Sequence, residues 1–479
     1  MKAFRWHLAL ALLAGFALRL FLLLQYPASS GDTGLYEELA TNWLRHGAYA
    51  VQVDGQLTPV DVRMPGYPAF LATVYAMTGY VGEAARPLVM LAQTILDLGT
   101  CLLAAILAAQ LAPDGQRARV AAVALWLTAT CPFLANYVAV SLTEVWATFF
   151  TTATLCILVV AFERLHGNEQ GPANAGARLW LLGGLSIGIA TLFRPESPLL
   201  FAAAALTLLF LWPRLQAGAI VRIALLGVAV LVPLAPWAGR NWAAFHEVQL
   251  LTPKYAQLSG EFVPYGFMAW EKTWLVRFRD VYLVSWRLNE EPIPIEEVSP
   301  AAFDSPGERA RAAALLAQYN ETLSLTKEED DAFAQIARER TARRPLRTYL
   351  RVPLDRVVTL WFTPRIELLP FSGDVLPLAE KWDEDQADQV VTVSFFFLNI
   401  LYVLLALLGL WRLLRASPEH RRRIGPAVAL IVLFLLVRTA FLTTLETPEP
   451  RYVIVCFPAL LAFAAQVFLR RQGEGPALN

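Results

Sequence analysis

The chain has 479 residues, 56% of them hydrophobic, and its 40 Lys and Arg are matched by 40 Asp and Glu. Zero formal net charge gives no global signal for nucleic acid or an anionic surface. Several apolar runs approach the roughly 20 residues that cross a bilayer, which excludes an ordinary soluble protein and points to an all-α, polytopic membrane fold.

Lys2 and Arg5 precede an apolar run over 7–26. It is longer than the apolar region of a cleaved signal, and "YPASSGD" offers no small-x-small cleavage site, so a retained first span is expected. The first loop, 27–85, carries "GDTGLYEELATNWLRHG". A helix from Asp32 to a stop at Gly47 would place Leu35, Tyr36, Leu39, Trp43 and His46 on the side of Asp32, with Glu37, Glu38, Thr41 and Arg45 opposite. Asp32 is then either the N-cap of its own helix or a carboxylate aimed into a membrane-level cavity, and the two roles are compatible. "RMPGYP" reads as a rigid turn on Pro65, Gly66 and Pro68, with Arg63 as a cation close to Asp32 in sequence. The apolar stretch 66–80 is too short to span and suits a half-inserted segment.

Further apolar runs near 86–112, 119–140, 143–162, 179–196, 198–213, 220–239, 390–414, 424–445 and 452–470 bring the expected number of spans to about ten. Cys101, Cys131, Cys156 and Cys456 lie inside these runs without neighbouring histidines and read as small core residues. Segment 241–389 holds a dense share of the charge. Within it Ser305/Glu308 and Thr326/Glu329 have capping-box spacing before helical periodicity. The stretch "RRPLRTYLRVPLDRVVTLWF" mixes arginines with apolar residues in the manner of an interfacial helix. The expected organisation is a membrane region 1–240 containing the site-bearing loop 27–85, a mixed but mainly helical water-facing insert 241–389, and membrane helices over 390–479.

Lys and Arg concentrate in "DGQRAR", "ERLHGNEQGPANAGAR", "WPRLQAGAIVR", "RLLRASPEHRRR" and both termini, which marks that side as cytoplasmic. The other face then gathers Asp32, Glu144, Arg194, Glu196, Arg240, Glu449 and Arg451 at span ends. Charges near hydrocarbon face a cavity or each other. Arg19 and Asp97 lie deeper, roughly 12–15 Å from the outer ends of their spans at 1.5 Å per residue, and are expected to pair.

"SGDTGLYEELATNWLRHGAYA", "VRMPGYPAFLATVY", "LFRPES", "PWAGRNW" and "ETPEPRYVIVCFPALLA" together resemble the bacterial glycosyltransferase family 39 proteins, relatives of protein O-mannosyltransferases and of aminoarabinose lipid A transferases, with the GT-C fold. The resemblance implies an inverting transferase of the plasma (inner) membrane whose site opens on the extracytoplasmic face. Its donor would be a polyprenyl-phosphate sugar and its acceptor a glycan, a lipid or a protein. The family's first-loop aspartate falls on Asp32, its arginine before Pro-Gly-Tyr-Pro on Arg63, and its late Arg-Tyr pair on Arg451 and Tyr452. Thr33 stands where the eukaryotic protein mannosyltransferases carry a second acidic residue, which puts a protein acceptor in doubt.

From topology Glu144 joins Asp32 as a candidate catalytic carboxylate, and Arg194 and Arg240 join the arginines that would hold the lipid phosphate. Tyr36 and Tyr67 complete the candidate substrate contacts. No Gly-rich phosphate loop or metal-ligand cluster appears, so no cofactor is expected, although a divalent ion beside Asp32 and Glu144 stays open. Two other classes compete. A transporter or flippase of a lipid-linked glycan would explain Arg19, Asp97 and Arg438, and a receptor using 241–389 would leave the outer-end charges unexplained.

Overall fold

The computed structural model describes residues 2–167, 176–210, 216–253, 255 and 262–469. Among them, seven helices are long and apolar enough to cross a membrane: Arg5–Gln25, Gly82–Leu111, Glu144–Leu165, Gly218–Phe245, Gln386–Leu414, Pro418–Thr443 and Pro450–Phe468. Asp114–Ala129 and Pro132–Ala139 make an eighth if taken as one span bent by 51°. The bend falls where Pro132 has no N–H to give and forces Cys131 into an extended conformation. The runs expected to span at 179–196 and 198–213 form shorter helices, Ala177–Phe193 and Leu199–Phe210, interrupted at "RPES". At 1.5 Å per residue the first extends about 25 Å, less than the roughly 30 Å hydrocarbon core, whereas the run expected over 198–213 ends outside the described residues.

The chain packs as two compact units. The first comprises Met1–Ala256, Ile366–Leu435 and Ile454–Asn479; the second comprises Gln257–Arg365 and Leu436–Val453. The second unit is thus narrower than the charged segment 241–389 and takes in the end of a spanning helix.

In the first unit, small residues let helices approach closely. A Cβ on Gly184 would stand 2.3 Å from the carbonyl oxygen of Leu226, and one on Gly188 would stand 2.4 Å from that of Val230. Helix Ala177–Phe193 therefore lies directly against the backbone of Gln216–Phe245. Arg19 and Asp97 do pair, at 2.5 Å, and both are buried. Arg19 also donates to the carbonyls of Gly15 and Ala129 at 2.9 and 2.8 Å, so both groups are satisfied within the protein.

The sheet content lies in the first loop rather than in the insert, where no strand occurs among the described residues. Ala50–Val53 and Gln56–Pro59 pair antiparallel, with Val53 opposite Gln56. Asp54 and Gly55 between them have φ of 50° and 77°, as a two-residue hairpin turn of the primed type requires.

In the second unit, Phe267, Trp270, Leu316, Tyr319 and Phe333 form the centre of a buried core. Ser305 and Thr326 cap helices Pro306–Thr322 and Lys327–Arg343 through the amides of Glu308 and Glu329, as their spacing predicts. Glu271 is fully buried and accepts from Ser285 Oγ at 2.5 Å. Burial pushes its carboxyl up to about 8, Glu446 adds to the shift, and the Ser285 hydrogen bond and Arg356 oppose it.

Two outcomes are expected. Asp97→Asn leaves Arg19 as a buried charge without a counter-ion and lowers stability by about 3–5 kcal/mol, whereas Arg19→Leu with Asp97→Leu recovers most of that loss in thermal unfolding of the purified protein. A carboxyl raised in the folded state stabilises below its unfolded value near 4.5 and loses that contribution as pH rises toward 8. The melting temperature of the wild type should therefore fall from pH 5 to pH 8 more steeply than that of Glu271→Gln.

Candidate active site

The first-loop helix runs Gly31–His46 and ends on Gly47 in the left-handed conformation, φ 66°. Its N-cap is Ser30, whose amide donates to Thr33 Oγ1 at 3.1 Å. Asp32 is thus the second helical residue and not the N-cap. Instead its Oδ1 accepts from Arg63 Nη2 at 2.6 Å, with both side chains about one-quarter exposed. The expected division of faces also changes. Glu37 is buried and receives both Nε and Nη2 of Arg86, at 2.7 and 3.0 Å, while His46 is exposed. The helix packs on its neighbours through Tyr36, Leu39, Ala40 and Asn42.

The Pro-Gly-Tyr-Pro turn opens helix Gly66–Thr78. Gly66 is required by space: a Cβ there would lie 2.6 Å from the carbonyl oxygen of Leu192. Tyr67 is fully buried, edge-on to Tyr36 with centroids 5.1 Å apart. Its hydroxyl donates to Gln93 Oε1 at 2.8 Å, and Gln93 Nε2 donates to the carbonyls of Val138 and Val140 at 3.2 and 2.9 Å. Val140 also bridges to Ala28. These bonds fix the first loop to the backbone just before Glu144.

Glu144 opens its spanning helix from a buried position, and its Oε1 accepts from Arg194 Nη2 at 3.0 Å. Arg194 Nε also approaches Glu196 at 3.4 Å. Glu144 Oε2 is buried and makes no hydrogen bond. Tyr36 stands within the field of both ion pairs. Burial pushes its hydroxyl up to about 12, Asp32 and Glu144 push the same way, and Arg63 and Arg194 oppose them. The structure thus brings together Asp32, Arg63, Glu144, Arg194, Tyr36 and Tyr67, as two carboxylate–arginine pairs around a neutral phenol.

Arg240 is placed differently. Its Nη1 donates to the carbonyl of Val60 at 2.7 Å and its Nη2 to that of Tyr49 at 2.5 Å, and the guanidinium lies 5.1–5.3 Å from the Tyr49, Trp237 and Phe245 rings. Tyr49 in turn donates its hydroxyl to the carbonyl of Arg63 at 2.8 Å. Arg240 therefore clamps the two ends of the hairpin that precedes Arg63 and borders an apolar cavity of about 500 Å³ lined also by Trp43, Pro59, Gly66 and Trp237. In the second unit, Arg451 Nε lies 2.5 Å from Glu449 Oε2 as an ion pair, and Glu449 Oε1 accepts from the Tyr452 hydroxyl at 2.7 Å. The Arg451 guanidinium lies 5.3 Å from the Tyr452 ring centre.

Sequence reasoning passed over Gln93, Tyr49 and the Glu37–Arg86 pair. A glutamine inside an apolar run was the available signal for the first. Among the described residues no group of three or more His, Cys, Asp or Glu side chains could hold a metal ion.

No family model matches the chain, and no curated protein matches it. Solved structures do. The archaeal oligosaccharyltransferase AglB from Archaeoglobus fulgidus, in complex with an inhibitory peptide and a dolichol-phosphate, aligns at TM-score 0.51 and 13% identity over 96% of this chain and 50% of its own. The apo form of the Archaeoglobus fulgidus oligosaccharyltransferase aligns at 0.50 and 12% over 96% and 50%. ArnT from Cupriavidus metallidurans bound to undecaprenyl phosphate aligns at 0.39 and 16% over 92% and 77%. The chain has the GT-C fold. It spans about half the length of the oligosaccharyltransferase structures.

Gly66→Ala should disturb the site without touching its charges. The added methyl meets backbone at 2.6 Å, so the turn must shift, at about 1–3 kcal/mol. The expected result is a lower melting temperature together with increased reactivity of a cysteine placed at Tyr67, which is sealed in the parent.

Proposed function

We propose that this GT-C protein is a glycosyltransferase that moves a sugar from a polyprenyl-phosphate donor to an acceptor on the extracytoplasmic side by inverting displacement. One observation carries the reading. Two carboxylate–arginine pairs, Asp32–Arg63 and Glu144–Arg194, meet around Tyr36 beside a turn that ties the first loop to the membrane helices.

In this reading the acceptor hydroxyl attacks the anomeric carbon as the bond to the lipid phosphate breaks. Asp32 takes the hydroxyl proton, and the phosphate leaves with the electron pair of the broken bond. Arg63 aims the Asp32 carboxylate and, with Arg194, supplies the cations that a phosphate leaving group needs at headgroup depth. Glu144 Oε2, buried and without a donor, is the acceptor for a sugar hydroxyl. Arg451 and Tyr452 are assigned to substrate binding by resemblance alone. Arg240, with two nitrogens on backbone carbonyls, is reassigned from phosphate binding to positioning the hairpin.

The groups that favoured a transporter are bonded within the protein. Arg19 holds Asp97, and Arg438 Nη2 donates to the carbonyl of Tyr452 at 2.8 Å.

Asp32→Asn retains shape and removes basicity. Purified Asp32→Asn should bind a polyprenyl-phosphate sugar like the parent and transfer it at least about a hundredfold more slowly, the lower end of what a positioned base contributes. Near-parental transfer would overturn the assignment of Asp32 as base.

A further inference from the structure

The stretch that reads as interfacial in sequence folds as a short π-helix, Arg347–Arg351, running into helix Val352–Trp361. It has two unlike faces. Val352, Arg356 and Leu360, four residues apart, are buried. Leu346, Leu350, Leu354, Val358 and Phe362, at the same stride, are exposed, and Tyr349 beside them is 73% exposed. Six large apolar side chains thus form one open stripe.

The buried face determines what can cover the open one. Trp361 Nε1 donates to Thr439 Oγ1 at 3.0 Å, and Arg356 Nη1 donates to the carbonyls of Thr443 and Leu445 at 3.1 and 2.6 Å. Leu360 packs with Leu442 and Val453. Thr439 and Thr443 belong to the last turns of Pro418–Thr443, a helix long and apolar enough to cross a membrane. Thr439 lies four residues inside that end, or about 6 Å. The amphipathic segment is therefore fastened at the depth where a span leaves hydrocarbon, which is also where tryptophan is favoured. On the spanning helix itself Leu436 and Phe441 are exposed near the same end. Arg344 is exposed, as is Arg351, whose Nε lies 3.6 Å from Asp355 Oδ2.

We propose that the Leu346–Phe362 face is a lipid-binding surface. Its apolar stripe lies in the boundary between headgroups and acyl chains, and Arg344 and Arg351 meet anionic headgroup phosphates. The face anchors the segment between the insert and the following span at a fixed depth, whatever reaction the first-loop site performs.

The native cysteines are all buried, so single introduced cysteines can report the environment. Leu350→Cys and Leu354→Cys would be labelled with a small fluorophore in the full-length protein, reconstituted at one copy per nanodisc with lipids brominated near the headgroup. Glu328→Cys, exposed on the polar helix Lys327–Arg343, is the reference. Quenching at 350 and 354 is expected to exceed that at 328 by at least about threefold, as for side chains below the headgroups. It should also weaken when phosphatidylglycerol is replaced by phosphatidylcholine, and Arg344→Gln with Arg351→Gln should abolish that dependence on lipid. Equal quenching at all three positions would overturn the proposal. So would shielding that appears only with two copies per disc, because the face would then be an interface between copies of the chain.

Discussion

A polar side chain inside an apolar helix must find its partners within the protein, because hydrocarbon offers none. Gln93 meets that constraint. Its amide nitrogen is used by the carbonyls of Val138 and Val140, and its amide oxygen accepts the Tyr67 hydroxyl. The three bonds join a spanning helix, the Pro-Gly-Tyr-Pro turn and the backbone that leads into Glu144. The first loop is fixed at this point. Gly66, lying against the carbonyl of Leu192, allows the turn to come close enough for the Tyr67 bond to form.

Everything at the candidate site follows from that attachment. Tyr67 supports Tyr36 edge-on, and Tyr36 lies on the helix that carries Asp32. Arg240 holds the hairpin at its two ends through the backbone carbonyls of Tyr49 and Val60, and the Tyr49 hydroxyl links that end to the backbone of Arg63. Asp32 and Arg63, 31 residues apart in the first loop, are thereby brought to hydrogen-bonding distance. Glu144 and Arg194 form the second pair at helix ends adjoining loops. A carboxylate paired with an arginine is a chemistry suited to a hydroxyl acceptor and a phosphate leaving group.

Much of this was legible in the sequence where the signal is local. Gly47 marked the end of the first-loop helix, and Ser305 and Thr326 marked the starts of two others. Arg19 and Asp97 were readable as a pair because charges inside spans have few other solutions. The span count was less legible. Hydropathy registers apolar composition, and the break at "RPES" interrupts an apolar region. Asp32 looked like a cap because Ser30 with Thr33 competes for that role within three residues. The hairpin had its signal in "VQVDGQLTP", where alternation surrounds Asp-Gly. Arg240 could not have been assigned, since bonding to distant backbone carbonyls leaves no pattern in side-chain sequence. Glu37 and Arg86 met for a similar reason, through tertiary packing that periodicity alone does not encode.

The proposed activity breaks the bond between a sugar and a lipid phosphate, rather than carrying the intact molecule across a membrane. The direct measurement is to incubate purified protein, reconstituted in sealed vesicles, with a panel of radiolabelled polyprenyl-phosphate sugars and acceptor-bearing membranes. Both the released polyprenyl phosphate and the labelled product would be followed. The proposed transfer requires that for one donor the two appear in equal amounts, with the label on the acceptor in inverted anomeric configuration. Movement of an intact lipid-linked sugar between leaflets, with no polyprenyl phosphate released from any donor in the panel, would contradict it.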